Sequence, residues 1–98
     1  MTITEKRHGT ELTLVIEGSL DSASFKQLEQ KVQTALDGVE FLVLDCKDLE
    51  YVSSAGLRAM LAAQKAMSKQ GKMVVRGANE SVMDTFVLTG FTKVLTIE

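Results

Sequence analysis

Phe41-Leu42-Val43-Leu44-Asp45-Cys46-Lys47-Asp48-Leu49-Glu50-Tyr51-Val52-Ser53-Ser54-Ala55-Gly56-Leu57-Arg58 holds a strand signal, a loop and a helix start in succession. Phe41 to Leu44 is apolar without alternation. Strands covered on both faces look like this, so the run predicts a central parallel strand. Asp45 to Glu50 is rich in charge and predicts a loop. From Ser54 to about Gln70, Leu57, Met60, Leu61, Gln64 and Met67 share one side of a helix, while Ala59, Ala62, Ala63 and Ala66 allow close approach. Gly71 stops it. In open α/β sheets, partners and ligands collect where such a strand hands over to such a helix.

The pattern on either side supports the same architecture. Thr2 to Arg7 and Leu12 to Ile16 predict a β-hairpin around His8-Gly9-Thr10, with Gly18 closing its second strand. Asp21-Ser22 then caps a helix whose apolar stripe is Phe25, Leu28, Val32, Ala35 and Leu36. Gly38 ends that helix. Lys72 to Arg76 predicts a further strand. Asn79 caps a short helix with Val82, Met83, Phe86 and Val87 inward and Gly90 at its end, and Val94 to Ile97 predicts a last strand. The order β-β-α-β-α-β-α-β predicts an α/β sandwich: a mixed β-sheet with parallel pairs and one hairpin, and helices mainly on one face.

The chain has 98 residues, the length of one domain, and the expectation is a single domain over 1–98. A hydrophobic fraction of 45% with 24% charged residues is ordinary globular composition. Eleven basic residues against thirteen acidic ones give a formal charge of -2, so no basic excess exists for binding nucleic acid. One cysteine, Cys46, excludes an internal disulfide and a multi-cysteine zinc site. His8 is the sole histidine, which leaves no evident nucleophile–base pair, so the chain is not expected to be an enzyme. Without an apolar leader or a run near the ~20 residues of a membrane span, the expectation is a soluble cytoplasmic protein.

Two readings compete at Ser53-Ser54. Serine is among the best N-cap residues, worth ~1 kcal/mol. Alternatively, Ser54 is a phospho-acceptor, its hydroxyl left sterically open by Ala55 and Gly56. The free N–H groups and positive dipole end of the helix favour an anion there. A phosphate would add about -1.5 to -2 charges and oppose an acidic or apolar partner. Arg58, four residues on, can pair with such a phosphate or remain solvated.

Leu42-Val43-Leu44-Asp45 together with Leu49-Glu50-Tyr51-Val52-Ser53-Ser54-Ala55-Gly56-Leu57 resembles the signature of STAS domains of the anti-sigma factor antagonist type. Gly18-Ser19-Leu20-Asp21 resembles the family's turn before its first helix. Gly71-Lys72-Met73-Val74-Val75 is similar to its penultimate strand, and Phe86-Val87-Leu88-Thr89-Gly90-Phe91 to its late helix end. The likeness thus spans nearly the whole chain. It implies a protein without catalysis that binds an anti-sigma factor serine kinase and so releases a sigma factor. It also implies phosphorylation of Ser54 by that kinase, which ends binding, and a serine phosphatase that resets the switch. Ser53 stands where the family pattern has Asp, and is the alternative acceptor. Asp21, Ser53, Ser54, Ala55, Gly56 and Arg58 become the candidate partner-binding residues. The chain ends after its last strand, so the C-terminal helix common in relatives is expected to be short or missing.

The resemblance also admits a second role, a STAS subunit that binds the ATPase of an ABC-type lipid transporter without phosphorylation. No cofactor or metal is expected. Asp45, Asp48 and Glu50 lack calcium-loop spacing and belong to a solvated rim. Cys46 is expected to be a small buried thiol, His8 solvated, and Met60, Met67 and Met83 packing residues, with Met60 also near enough to the helix start to touch a partner.

Overall fold

The computed structural model describes residues 1–98. Strands β1 (Thr2–His8) and β2 (Glu11–Leu20) form the expected hairpin, turning at Gly9 with φ of 63°. Helix α1 (Phe25–Ala35), β3 (Phe41–Asp45), β4 (Leu49–Val52), α2 (Ser54–Ser68), β5 (Lys72–Arg76) and α3 (Glu80–Thr89) follow, then a 3-10 turn at Phe91–Lys93. The sheet runs β1-β2-β3-β5, with β4 added beside β2. Only the hairpin is antiparallel; β2–β3, β3–β5 and β2–β4 are parallel.

Alternation along the strands divides the sheet into two faces. Leu12, Leu14 and Ile16 of β2, Leu42 and Leu44 of β3, and Met73 and Val75 of β5 join one core with residues of all three helices. Those residues include Leu28 and Val32 of α1, Leu57, Met60 and Met67 of α2, and Val82 and Phe86 of α3. Val15, Val43 and Val74, the alternate residues, are buried but lie outside that core. The helices therefore stack on one face of a mixed sheet, as the order of elements predicts.

Four details differ from the sequence expectation. Residues 49–52 form a strand, not a loop. The segment shows no alternation, because Leu49 and Val52 are buried and Glu50 and Tyr51 between them are exposed. Its partner is supplied by β2, which does not end at Gly18 but bulges there, with φ of 95°, and continues to Leu20. The bulge lets one strand pair with β3 below it and β4 above it. Helix α1 starts at Phe25 with Ser24 as N-cap, because Asp21 to Ser24 is spent on a hydrogen-bonded turn. Val94 to Ile97 is not a full strand. Gly90, at φ of 78°, ends α3 and leads into the 3-10 turn, so only a bridge between Ile97 and Val75 remains. It is held by Val75 N donating to Thr96 O at 2.8 Å and Glu98 N to Val75 O at 2.9 Å.

Cross-links fix the far end of the sandwich. Arg7 Nη2 donates to Ala35 O, and Gln70 Nε2 donates to Leu36 O and Val39 O, each at 2.6 Å. These donors satisfy carbonyls at and just beyond the end of α1 that have no partner within the helix. Gly71 passes so close to Glu40 that a methyl group there would overlap its backbone carbonyl.

Cys46 is fully buried, as expected, and its Sγ lies 3.7 Å from Leu44 O. Burial, and secondarily the charge of Asp45, push its thiol up from 9.0 to about 12. The unfolded chain therefore ionises first. The contribution of Cys46 to stability is complete below pH 9 and is lost as pH rises from about 9 towards 12. Two results are expected. A thiol-specific reagent at pH 8 should label Cys46 only after denaturant is added. The urea midpoint should fall between pH 8 and pH 10.5, and less so in Cys46→Ala.

Candidate functional site

The site lies at the carboxy ends of two neighbouring parallel strands. Leu20 of β2 and Val52 of β4 are paired in register, and Ser53 N donates to Leu20 O at 2.9 Å. The chain leaves β2 into the Asp21 turn and leaves β4 into α2, so the two turns lie side by side.

Asp21 shapes its own turn. Its Oδ1 accepts from Ala23 N at 3.0 Å and lies 3.1 Å from Ser24 Oγ. Ser24 Oγ donates to Ser19 O at 2.7 Å and accepts from Asp21 N at 3.0 Å. This network, not a helix cap by Asp21 or Ser22, is what these polar residues form. Half-buried Asp21 still borders the surface beside α2.

The two serines have different roles. Ser53 is the N-cap of α2, with extended backbone (φ -92°, ψ 177°), and its Oγ accepts from Gly56 N at 3.3 Å. Its carbonyl accepts from Leu57 N at 2.8 Å. Ser54 is the first residue of the helix and is exposed. The capping reading thus holds for Ser53, and the free hydroxyl belongs to Ser54. Arg58, one turn further, is also exposed and enters none of the ion pairs, which are Lys31–Glu5, Lys47–Asp45 and Arg76–Glu98.

Ala55 is half-buried and Gly56 buried, so neither adds much to the outer surface. Gly56 acts by its small size. A methyl group there would come within 2.5 Å of Leu20 O and 2.9 Å of Val52 Cγ2. The absence of a side chain lets the start of α2 lie against the ends of β2 and β4. Gly56→Ala is expected to cost ~1–3 kcal/mol by overpacking, lowering the thermal midpoint by at least about 4 °C. An unchanged midpoint would contradict this close contact.

Met60 is fully buried and unavailable to a partner, which corrects the sequence expectation that it lies near enough to touch one. Val87, expected inward, is 60% exposed. Leu88 at 85%, Tyr51 at 53% and Val94 at 44% are the other exposed large apolar side chains. Helical periodicity could not identify Val87 as exposed, since α3 is covered along only a narrow stripe. Asp45 is occupied locally, its Oδ1 accepting from Lys47 N at 3.1 Å. No three His, Cys, Asp or Glu side chains approach closely enough to share a metal ion. No helix is long and apolar enough to cross a membrane.

None of the molecule's surface concavities is lined by Asp21, Ser53, Ser54 or Arg58. Small-molecule sites are concave and enclose most of their ligand. A helix start with an exposed hydroxyl, outside every concavity, instead suits contact with another macromolecule.

The architecture is a mixed five-stranded sheet with three helices on one face and the start of α2 at its strand ends. The family model for the Mlab STAS domain matches residues 3–96, and the chain belongs to the STAS domain family. It is 33% identical to the protein named "Putative anti-sigma factor antagonist BtrV" of Bordetella bronchiseptica, over 88% of this chain and 76% of that protein. Among solved structures, an anti-sigma factor antagonist from Mycobacterium paratuberculosis superposes with a TM-score of 0.87 at 23% identity, covering 98% of this chain and 83% of that one. The anti-sigma factor antagonist SpoIIAA in its unphosphorylated form gives 0.77 at 14% identity over 99% and 87% of the two chains. Its phosphorylated form, from Bacillus, gives 0.75 at 15% identity over 99% and 91%.

Proposed function

We propose that this chain is an anti-sigma factor antagonist, a binding protein without catalysis, which docks on an anti-sigma factor serine kinase through the face around Ser54 and so releases a sigma factor. Phosphorylation of Ser54 by that kinase ends docking, and a serine phosphatase restores it. The action is cytoplasmic. The observation that carries this reading is the division of labour between the serines: Ser53 caps α2, while Ser54 offers an exposed hydroxyl at the first helical position. Likeness to BtrV supports the antagonist role, and SpoIIAA is itself known in both phosphorylation states. A phosphate on Ser54 would meet the free N–H groups of the first turn and, one turn on, the unpaired Arg58. Such a group suits the helix and obstructs a protein fitted to the bare hydroxyl.

The test is incubation with ATP and a candidate anti-sigma factor kinase, followed by mass spectrometry. Phosphate on Ser54, absent from Ser54→Ala, is the expected result. Phosphate confined to Ser53 would overturn the residue assignment. Tight binding to a transporter ATPase, with no phosphate taken up from any kinase, would favour the transporter-subunit role instead.

A further inference from the structure

Ser24, 6% exposed, is the one buried hydroxyl-bearing residue of the fold. It occupies the N-cap position of α1, where a serine hydroxyl ordinarily accepts from an N–H of the first turn. Its hydroxyl makes no such bond. It turns back along the chain instead, donating to Ser19 O at 2.7 Å and accepting from Asp21 N at 3.0 Å, with Asp21 Oδ1 3.1 Å away. Asp21 Oδ1 also accepts from Ala23 N, while Oδ2 makes no hydrogen bond or ion pair within the chain. Leu20, between Ser19 and Asp21, is the residue whose carbonyl accepts from Ser53 N, so this turn is tied directly to the start of α2.

We infer that Ser24 is a positioning residue of the docking site: its hydroxyl fixes the turn at Asp21, so that one carboxylate oxygen is spent on the turn and the other is held free for the partner that docks at Ser54. The inference rests on the proposed function, with Asp21 among the partner-binding residues, and adds a residue that touches no partner. A serine serving only the helix would cap it, and this one does not. A buried hydroxyl is satisfied by one or two partners. This one engages three atoms, two of them on Asp21. Without it, Oδ1 keeps a single bond, to Ala23 N in an exposed turn. The carboxylate is then free to change rotamer, and ordering it again on binding costs affinity.

The fold does not depend on the same hydroxyl. Ser24 N and Phe25 N both donate to Asp21 O, at 3.1 and 2.8 Å, so the backbone of the turn closes by itself. Ser19 and Asp21 are half-buried, and water can take up the bonds that their backbone groups lose. Removing the hydroxyl therefore separates the position of Asp21 from the stability of the chain.

The test uses Ser24→Ala, Ser24→Thr, Asp21→Ala, the double variant of Ser24→Ala with Asp21→Ala, and Ser54→Asp. Each is checked by circular dichroism and titrated calorimetrically against the kinase that phosphorylates Ser54. Asp21→Ala is expected to lose at least about tenfold in affinity and Ser24→Ala about three- to tenfold, both folded, while Ser24→Thr, which keeps the hydroxyl, binds like wild type. The double variant is expected to bind no more weakly than Asp21→Ala alone, because Ser24 acts through that carboxylate. Wild-type affinity in Ser24→Ala, equal losses in Ser24→Thr and Ser24→Ala, or losses that multiply in the double variant would each overturn the inference. So would a Ser24→Ala chain that fails to fold, the hydroxyl then serving the structure as a whole. If Asp21→Ala binds like wild type while Ser54→Asp fails to bind, the inference falls and the Ser54 switch stands. If Ser54→Asp also binds like wild type, the proposed function falls with it.

Discussion

Ser54→Asp is expected to fold like wild type and to bind the proposed anti-sigma factor kinase about 30- to several-thousand-fold more weakly. The range corresponds to ~2–5 kcal/mol, the cost typical of an uncompensated charge at a buried interface position. Stability should not suffer, because the side chain at position 54 is exposed at the start of α2. The first turn of α2 holds no acidic residue, so an added carboxylate there meets only the positive end of the helix dipole. That interaction is worth ~0.3–1 kcal/mol in favour of folding. Isothermal titration calorimetry and thermal melting together give the test. Unchanged affinity with an intact fold would rule out charge at this hydroxyl as the switch. Loss of binding together with the fold would show that Ser54 supports the structure.

Phe86→Ala is expected to cost ~3–5 kcal/mol, the range for deleting a large side chain from a packed core. Small proteins have ~5–15 kcal/mol of stability in total, so this one change removes a substantial share. Phe86 is fully buried, and with Val82 it is one of only two buried residues on α3. A ten-residue helix does not persist alone in water, so its attachment depends chiefly on those two side chains, with half-buried Met83 packed beside them. The thermal midpoint followed by circular dichroism should fall by more than about 12 °C. A drop of only a few degrees would mean that α3 is held chiefly by its cap on Leu49.

Much of this fold was legible in the chain because most elements advertise themselves locally. The unbroken run at Phe41–Leu44 marked a central parallel strand, and the 3.6-residue stripes marked all three helices. Asn79 and Gly90 bounded α3 as expected, one capping it and the other ending it at positive φ. What escaped was decided by partners distant in sequence. Leu49 to Val52 does not look like a strand by itself; it becomes one because β2 bulges at Gly18 and extends a free edge to it. Val94 to Ile97 does look like a strand, yet the tight exit from α3 leaves room for one bridge. Val87 fits the helical stripe, but the surface beneath α3 is too narrow to cover it.

The candidate site divides in the same way. Family likeness, helix-start chemistry and the pair Ser53-Ser54 were all visible in the one-dimensional sequence, because capping and anion preference depend only on the first turn of a helix. The open hydroxyl was already read at Ser54, near the first helical residue, but which serine caps was not visible. Either hydroxyl can cap, and the choice is made by the pairing of Val52 with Leu20, which sets Ser53 in extended backbone and leaves Ser54 as the first helical residue. The sequence by itself determined the hairpin, the three helices, the central parallel strand and the stretch that carries the candidate site, since these follow from short-range pattern. Only the tertiary structure decided the fourth strand, the exposure of Val87 and the capping of α2 by Ser53, because each depends on what another part of the chain places beside it.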